Sequence, residues 1–189
     1  MNTHSESILV VEDDAIMQDI LCTTLSQAGW RCISAYKAEE ALDKLNAEPD
    51  IALLLIDLGL PGMSGLELAA AVQKKYKLPF IVLTVDDEDG KVSDAIKAGA
   101  MSYLTKPFDT AQLPPIVRTT LARHKDVRQL ESALQADRSV SVAIGILMHS
   151  KAMSEQSAFN HLRQEARAKR QALGGVAQKI IKEFSSSER

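Results

Sequence analysis

Short unbroken apolar runs alternate with longer stretches of mixed character through the first 110 residues, the pattern of strand–helix repeats around a parallel sheet. Ile8–Val11, Ala52–Ile56 and Phe80–Leu83 are continuous and predict strands covered on both faces. Arg31–Ala35 and Met101–Leu104 are weaker and predict edge strands. Four helical patterns fall between them, about Ala15–Gln27, Lys37–Asn46, Ser64–Tyr76 and Asp87–Ala98. The first sets Ile16, Ile20 and Leu25 on one side and closes at Gly29; the last closes at Gly99. Asp50, Pro61, Gly62 and Gly65 supply turn chemistry between elements.

The period changes after Pro114 and Pro115, which a first helical turn tolerates. A run without glycine or further proline extends to about Ala136, a helix of roughly 20 residues and about 30 Å, long enough to hold a second unit clear of the first. Val127, Leu130 and Leu134 follow an a/d spacing, so this stem is suited to pairing with its copy in a homodimer. Beyond residue 137 three helical patterns follow. One carries Val140, Ala143, Ile144 and Leu147; the next, capped by Ser154, carries Ala158, Phe159, Leu162 and Ala166. The last, after the Gly174–Gly175 break, carries Leu173, Val176, Ala177, Ile180, Ile181 and Phe184. Met148 and Phe159 read as core residues, and His149 and His161 as surface polar ones. The expected organisation is an α/β domain over residues 1–122, a helical stem over 123–136 and a small three-helix domain over 137–189.

Composition narrows the class. Hydrophobic residues make up 46% and charged residues 25% of the chain, which suits a soluble globular protein rather than a disordered one. No apolar run approaches the roughly 20 residues that span a bilayer, and the opening MNTHSES does not resemble a signal peptide, so a cytoplasmic protein without membrane contact is expected. Cys22 and Cys32 have neither metal-ligand spacing nor a CxxC pattern, and read as reduced core thiols. Net charge is −3, unevenly spread: residues 1–125 hold 12 Lys and Arg against 18 Asp and Glu, whereas residues 126–189 hold 10 against 7. That basic excess permits a nucleic-acid partner without requiring one.

The candidate chemistry is acidic. Glu12, Asp13 and Asp14 follow the first strand, Asp57 closes the third, and Thr84 and Lys106 follow the fourth and fifth. Singly these are ordinary turn or helix-start residues. In a doubly wound sheet, however, strand ends converge on one crevice where strand order reverses. Carboxylates gathered there raise one another's pKa values unless a cation neutralises them, and an all-oxygen donor set fits Mg²⁺. Asp57 then becomes a nucleophile toward a phosphoryl group, with Lys106 as a positive charge and Thr84 as a hydroxyl donor to its oxygens.

In these residues the chain resembles the receiver domains of two-component response regulators: ILVVEDD, LLLIDLGLPGMSGLEL, FIVLT and GAMSYLTKPF follow that family's motifs in order and spacing over about residues 7–122. The resemblance implies a flavodoxin-like five-stranded sheet in the order 2-1-3-4-5. It assigns Glu12 and Asp13 as the acidic pair, Asp57 as phosphoacceptor, Gly59 as a main-chain Mg²⁺ ligand and Thr84 with Lys106 as the switch pair. It also puts Tyr103 at the aromatic switch position and makes the Lys106–Pro107 bond cis. Asp14 stays outside the ligand set. A sensor histidine kinase is the implied phosphodonor, and self-dephosphorylation the only turnover, so the chain is not expected to be an enzyme in the usual sense.

The remainder, about residues 130–184, resembles the ANTAR domain, a three-helix RNA-binding module of transcription antiterminators, through Ala143, Gly145–Met148, Ala158–Phe159, Leu162–Arg163, Ala166 and Val176–Ala177. RNA stem-loops are the implied partner, and Arg163, Arg167, Lys169 and Arg170 the candidate cations. Two positions depart from the family pattern: Ile144 stands where a basic residue is usual, and Gly174–Gly175 where polar turn residues are. Two other outputs stay open. A DNA-binding helix-turn-helix is poorly served by a last helix bearing only Lys179 and Lys182. A protein-interaction adaptor suits Ile144 and the thin basic charge.

Overall fold

A computed structural model of the chain describes residues 6–85 and 89–187. Two compact units divide between His124 and Lys125.

In the first unit five parallel strands, β1 (Ser7–Val11), β2 (Arg31–Ala35), β3 (Ile51–Asp57), β4 (Phe80–Val85) and β5 (Ser102–Lys106), form one sheet in the order β2-β1-β3-β4-β5. The two weaker sequence runs are the edge strands, as their patterns predict. Side chains alternate across a sheet, and here both faces are covered. Ile8, Val10, Leu53, Leu55, Ile81 and Leu83 pack on Leu21 and Leu25 of helix α1 (Ala15–Gln27) and on Leu113 and Val117 at the start of α5 (Leu113–Lys151). Leu9, Val11, Leu54, Ile56 and Val82 pack on α2 (Ala38–Ala47), α3 (Gly65–Ala71) and α4 (Asp89–Lys97) through Leu45, Leu68 and Ala95. Helices on both faces of a parallel sheet make the fold doubly wound α/β, flavodoxin-like.

Local chemistry sets the ends of the elements. Asp14 caps α1 by accepting from the Ile16 and Met17 amides. Ser64 and Glu67 close a capping box at the start of α3, which relaxes into a π-helical turn over Val72–Tyr76 and stops at Lys77 in the left-handed region. The start expected for α4, Asp87, lies outside the described residues.

Several expectations are corrected. The buried face of α1 is Gln18, Leu21 and Leu25, whereas Ile16 is 75% exposed and Ile20 is also exposed. Gln18 is buried because its amide donates to the carbonyls of Ala35 and Glu12, so the polar group is satisfied. Cys22 on α1 and Cys32 on β2 are joined as a disulfide, with Cα atoms 5.3 Å apart, instead of lying as separate thiols. Finally, Met148 is exposed and Phe159 only half-buried, so neither is a core residue.

The second unit packs the C-terminal part of α5 with α6 (Glu155–Ala168) and α7 (Leu173–Ser187). Its core is Ala143 and Leu147, Ala158, Leu162 and Ala166, and Val176 and Ala177, with Ile144, Ile180 and Ile181 packed at its edge. The stem and the first of the three expected output helices are one element, α5: residues 116–144 contain neither glycine nor proline to interrupt it. Gly174 lies inside α7 rather than in a turn before it. A Cβ there would stand 2.8 Å from the Cβ of Ala136, so glycine permits the close approach of α7 to α5. Among the described residues no helix is long and apolar enough to cross a membrane.

Candidate functional site

Because β1 and β3 are neighbours while their connections lead to opposite sides of the sheet, the crevice forms at the carboxyl ends of these two strands. Val11, the last residue of β1, is in register with Ile56, so Glu12 and Asp13 emerge beside Asp57 at the end of β3. Carboxylate oxygens of Glu12, Asp13 and Asp57 all lie within 4.8 Å of one another. Glu12 and Asp57 are buried, 1% and 8% exposed, and Asp13 stands on the rim.

Lys106, closing β5, reaches across β4 to this cluster. Its Nζ donates to Asp57 Oδ2 at 2.8 Å and to Glu12 Oε2 at 2.7 Å. The other Asp57 oxygen, Oδ1, accepts from the Gly59 amide at 3.0 Å. Burial pushes the Glu12 carboxyl above its ordinary value, the hydrogen bond from Lys106 opposes this, and the charge of Asp57 adds to the rise. For Lys106 burial works against the ammonium, but hydrogen bonds to Asp57 and Glu12 outweigh it and hold the group above the ordinary lysine value.

Three carboxylates facing one lysine leave a net negative pocket whose donors are all hard oxygens. Such a set could hold a divalent metal ion of the Mg²⁺ type, for which carboxylates are the matching ligands. The pocket also places a carboxylate in a fixed orientation next to a cation, the requirement for a nucleophile that must meet a phosphoryl group.

The remaining site residues named from sequence are less closely drawn in. Thr84 is buried one residue beyond Leu83, the β4 partner of Asp57, and its hydroxyl donates to the Val85 carbonyl at 3.3 Å. Tyr103 is 51% exposed on β5, opposite Val82. The Lys106–Pro107 peptide is cis. Asp14 is occupied as a helix cap.

Sequence reasoning missed two residues that build the pocket. Gln18 ties the Glu12 and Ala35 carbonyls together, and a glutamine among apolar neighbours carries no sequence signal for that role. Gly65 reads as a turn residue but lies against the Asp57 main chain: a Cβ there would overlap the Asp57 carbonyl and come within 2.8 Å of the Leu58 Cα.

In the second unit Arg163, Arg167, Lys169 and Arg170 are all exposed. Arg163 and Arg167 lie one turn apart on α6, whereas Arg170 follows the end of the helix with a left-handed backbone. Lys169 is turned toward Glu165, with which it forms an ion pair that holds the Glu165 carboxyl below its ordinary value. Ile144 packs at the edge of the core.

Comparison with known proteins agrees with this division. Residues 8–118 match the response regulator receiver domain and residues 128–181 match the ANTAR domain. A CheY-like receiver domain protein from Methanospirillum hungatei is similar at 28% identity with a TM-score of 0.61, over 65% of this chain and 98% of that one. A putative response regulator from Chloroflexus aurantiacus is similar at 30% identity and a TM-score of 0.59, over 62% and 98%. NtrX from Brucella abortus is similar at 26% identity and a TM-score of 0.64, over 70% of this chain but 30% of that longer one. The chain therefore belongs to the two-component response regulators, with a receiver domain followed by an ANTAR domain.

Proposed function

We propose that this response regulator accepts a phosphoryl group on Asp57 from a sensor histidine kinase in the cytoplasm and thereby controls the binding of its ANTAR unit to RNA stem-loops in transcription antitermination. The observation that carries the reading is the Asp57 carboxylate, gripped on one oxygen by the Gly59 amide and on the other by Lys106, beside Glu12 and Asp13.

Glu12, Asp13, Asp57 and the Gly59 main chain would hold Mg²⁺, which when bound neutralises the carboxylates and screens the incoming phosphoryl oxygens. An Asp57 oxygen attacks phosphorus as the bond to the donor breaks, and the leaving imidazole takes up a proton. Lys106 transfers its hydrogen bonds from the two carboxylates to a phosphoryl oxygen, and the Thr84 hydroxyl turns from the Val85 carbonyl to another. Tyr103 follows Thr84 inward, so an added charge of about −2 is converted into a changed surface on β5 and α4. Slow hydrolysis of the acyl phosphate ends the signal, and no other catalysis is assigned.

On the output side, Arg163, Arg167 and Arg170, with Lys169 as a weaker member, would contact RNA phosphates. Val127, Leu130 and Leu134 are exposed along α5 and would form the seam of a homodimer. A protein-interaction output is the second reading. Exposed Val142 and Met148 favour it, as does the packing of Ile144 where a cation is usual.

The deciding experiment is an equilibrium titration of stem-loop RNA and matched duplex DNA at fixed salt, with and without a phosphoryl mimic and Mg²⁺. Tighter RNA binding with the mimic, lost in Asp57→Ala, is the expected result. RNA binding in neither state would overturn the antitermination reading in favour of the protein-interaction output.

A further inference from the structure

The cysteine pair is placed where its oxidation state bears on the crevice. Cys22 and Cys32 are the only cysteines of the chain, and both are half-buried rather than sealed in the core. Their Cα separation of 5.3 Å lies inside the range a disulfide accepts, so the backbone positions suit a covalent bond. In the cytoplasm, on which this inference rests as part of the function proposed above, thiols are kept reduced, so a pair so close has two accessible states rather than one.

The bond joins α1 to the edge strand β2 at the seam that continues to Glu12. On α1, Gln18 lies one turn before Cys22 on the same face, and its amide donates to the carbonyls of Ala35 and Glu12. On β2, Ser34 shares the face of Cys32, and its hydroxyl is 3.3 Å from the Cys22 sulfur. Ala35, three residues beyond Cys32, accepts the Glu12 amide at 3.1 Å. Being an edge strand, β2 pairs with β1 alone and is otherwise held by α2 on one face and by α1 with the cysteine pair on the other.

We propose that Cys22 and Cys32 form a reversible thiol–disulfide modification site, oxidised by a small disulfide of the glutathione class, whose state sets how tightly the α1–β2 seam beside Glu12 is closed. One cysteine thiolate attacks a sulfur of glutathione disulfide, forming a mixed disulfide and releasing one glutathione thiolate. The second cysteine thiolate attacks the protein sulfur of that mixed disulfide and releases the other. Two electrons pass from the cysteine pair to glutathione disulfide, and the two thiol protons end on the two glutathione molecules.

The test uses the full-length chain equilibrated across glutathione to glutathione disulfide ratios, quenched by alkylation and weighed by mass spectrometry. Two alkylated cysteines at the reducing end and none at the oxidising end, without cross-linked dimers, are expected. The oxidised form should melt about 5–15 °C higher than the reduced form. Amide hydrogen exchange of Glu12 and of residues 31–35 should be several-fold slower when oxidised. Trp30, the single tryptophan, lies between the cysteines in sequence and is covered by Arg118, so its emission gives an independent signal of the seam. Cys22→Ser and Cys32→Ser should each abolish the redox dependence; should either fail to fold, the unmodified chain carries the test alone. A pair resistant to alkylation at every ratio, a pair alkylated at every ratio, cross-linking only between chains, or equal exchange of Glu12 in both states would each overturn the proposal.

Discussion

Gly65 at the start of α3 lies against the main-chain carbonyl of Asp57, with no room between them for a Cβ. The capping box of Ser64 and Glu67 holds the helix start at that point, so the backbone of Asp57 is braced by a helix terminus. Gly65→Ala should force Asp57 or α3 to shift. Overpacking of this kind costs about 1–3 kcal/mol, to be read as a lowered denaturant midpoint with unchanged slope. Phosphoryl uptake by the folded fraction should fall as well, since Asp57 would no longer meet Gly59 and Lys106 in register.

Metal binding should depend on pH through Glu12. Burial raises this carboxyl, so it keeps its proton at a pH where an ordinary glutamate has lost it. Mg²⁺ requires the deprotonated form, so affinity should fall as pH drops through a window lying above the ordinary glutamate value of about 4.3. With one competing proton the loss approaches about tenfold per pH unit below that window. The sign for stability is opposite in the metal-free protein. A raised carboxyl value means that the fold favours the protonated group, so stability is lost as pH rises from the ordinary value through the raised one, and added Mg²⁺ should restore it. Calorimetric Mg²⁺ titrations at several pH values test this, and Glu12→Gln should flatten the dependence.

The sheet was legible in sequence because strands covered on both faces have no polar positions to confuse the pattern. Four of the five runs fall within strands of the observed sheet and the fifth, Met101–Leu104, overlaps β5 from Ser102, and the carboxylates that follow β1 and close β3 meet by topology alone. Where a polar residue is buried or an apolar one exposed, periodicity misleads. In α1 the apolar Ile16 and Ile20 are on the outside while Gln18 is inside, since two backbone carbonyls that face it meet its amide. The length of α5 was underread for a related reason: its outward residues change from Leu130 and Leu134 to Asp137 and Ser141 without any helix-breaking residue between them, and a change of pattern is not a break. Pairing of Cys22 with Cys32 depends on a helix and a strand that are separated by a tight turn, which spacing alone does not reveal.

The four candidate cations of the output unit should not contribute equally to RNA affinity. Arg163 and Arg167 lie one turn apart on α6 and Arg170 follows its end, whereas Lys169 is paired with Glu165 and must give up that contact before meeting a phosphate. Alanine at any of the three arginines should weaken binding to all stem-loops alike and reduce the slope of log affinity against log salt by about 0.7–0.9, one phosphate contact. Lys169→Ala should change the slope less. Equal effects at all four positions would show that the Glu165 pair does not persist in the complex.

Dimerisation through α5 is open to a direct test. Val127, Leu130 and Leu134 are 39%, 65% and 70% exposed, and three aliphatic side chains at a/d spacing are costly to leave in water. Burying one leucine side chain contributes about 1.5–3 kcal/mol, so Leu130→Lys with Leu134→Lys removes that gain and sets like charges across the seam. Sedimentation should then show a dissociation constant raised by at least about a hundredfold, with the folded receiver unaffected because these positions lie outside its core. A dimer has two ANTAR units, so RNA carrying paired stem-loops should lose far more affinity in this variant than RNA carrying one, since the second contact is then no longer intramolecular. Equal losses on both RNAs would mean that the lysines disturb the ANTAR unit itself, and an unchanged sedimentation profile would move the dimer seam away from α5.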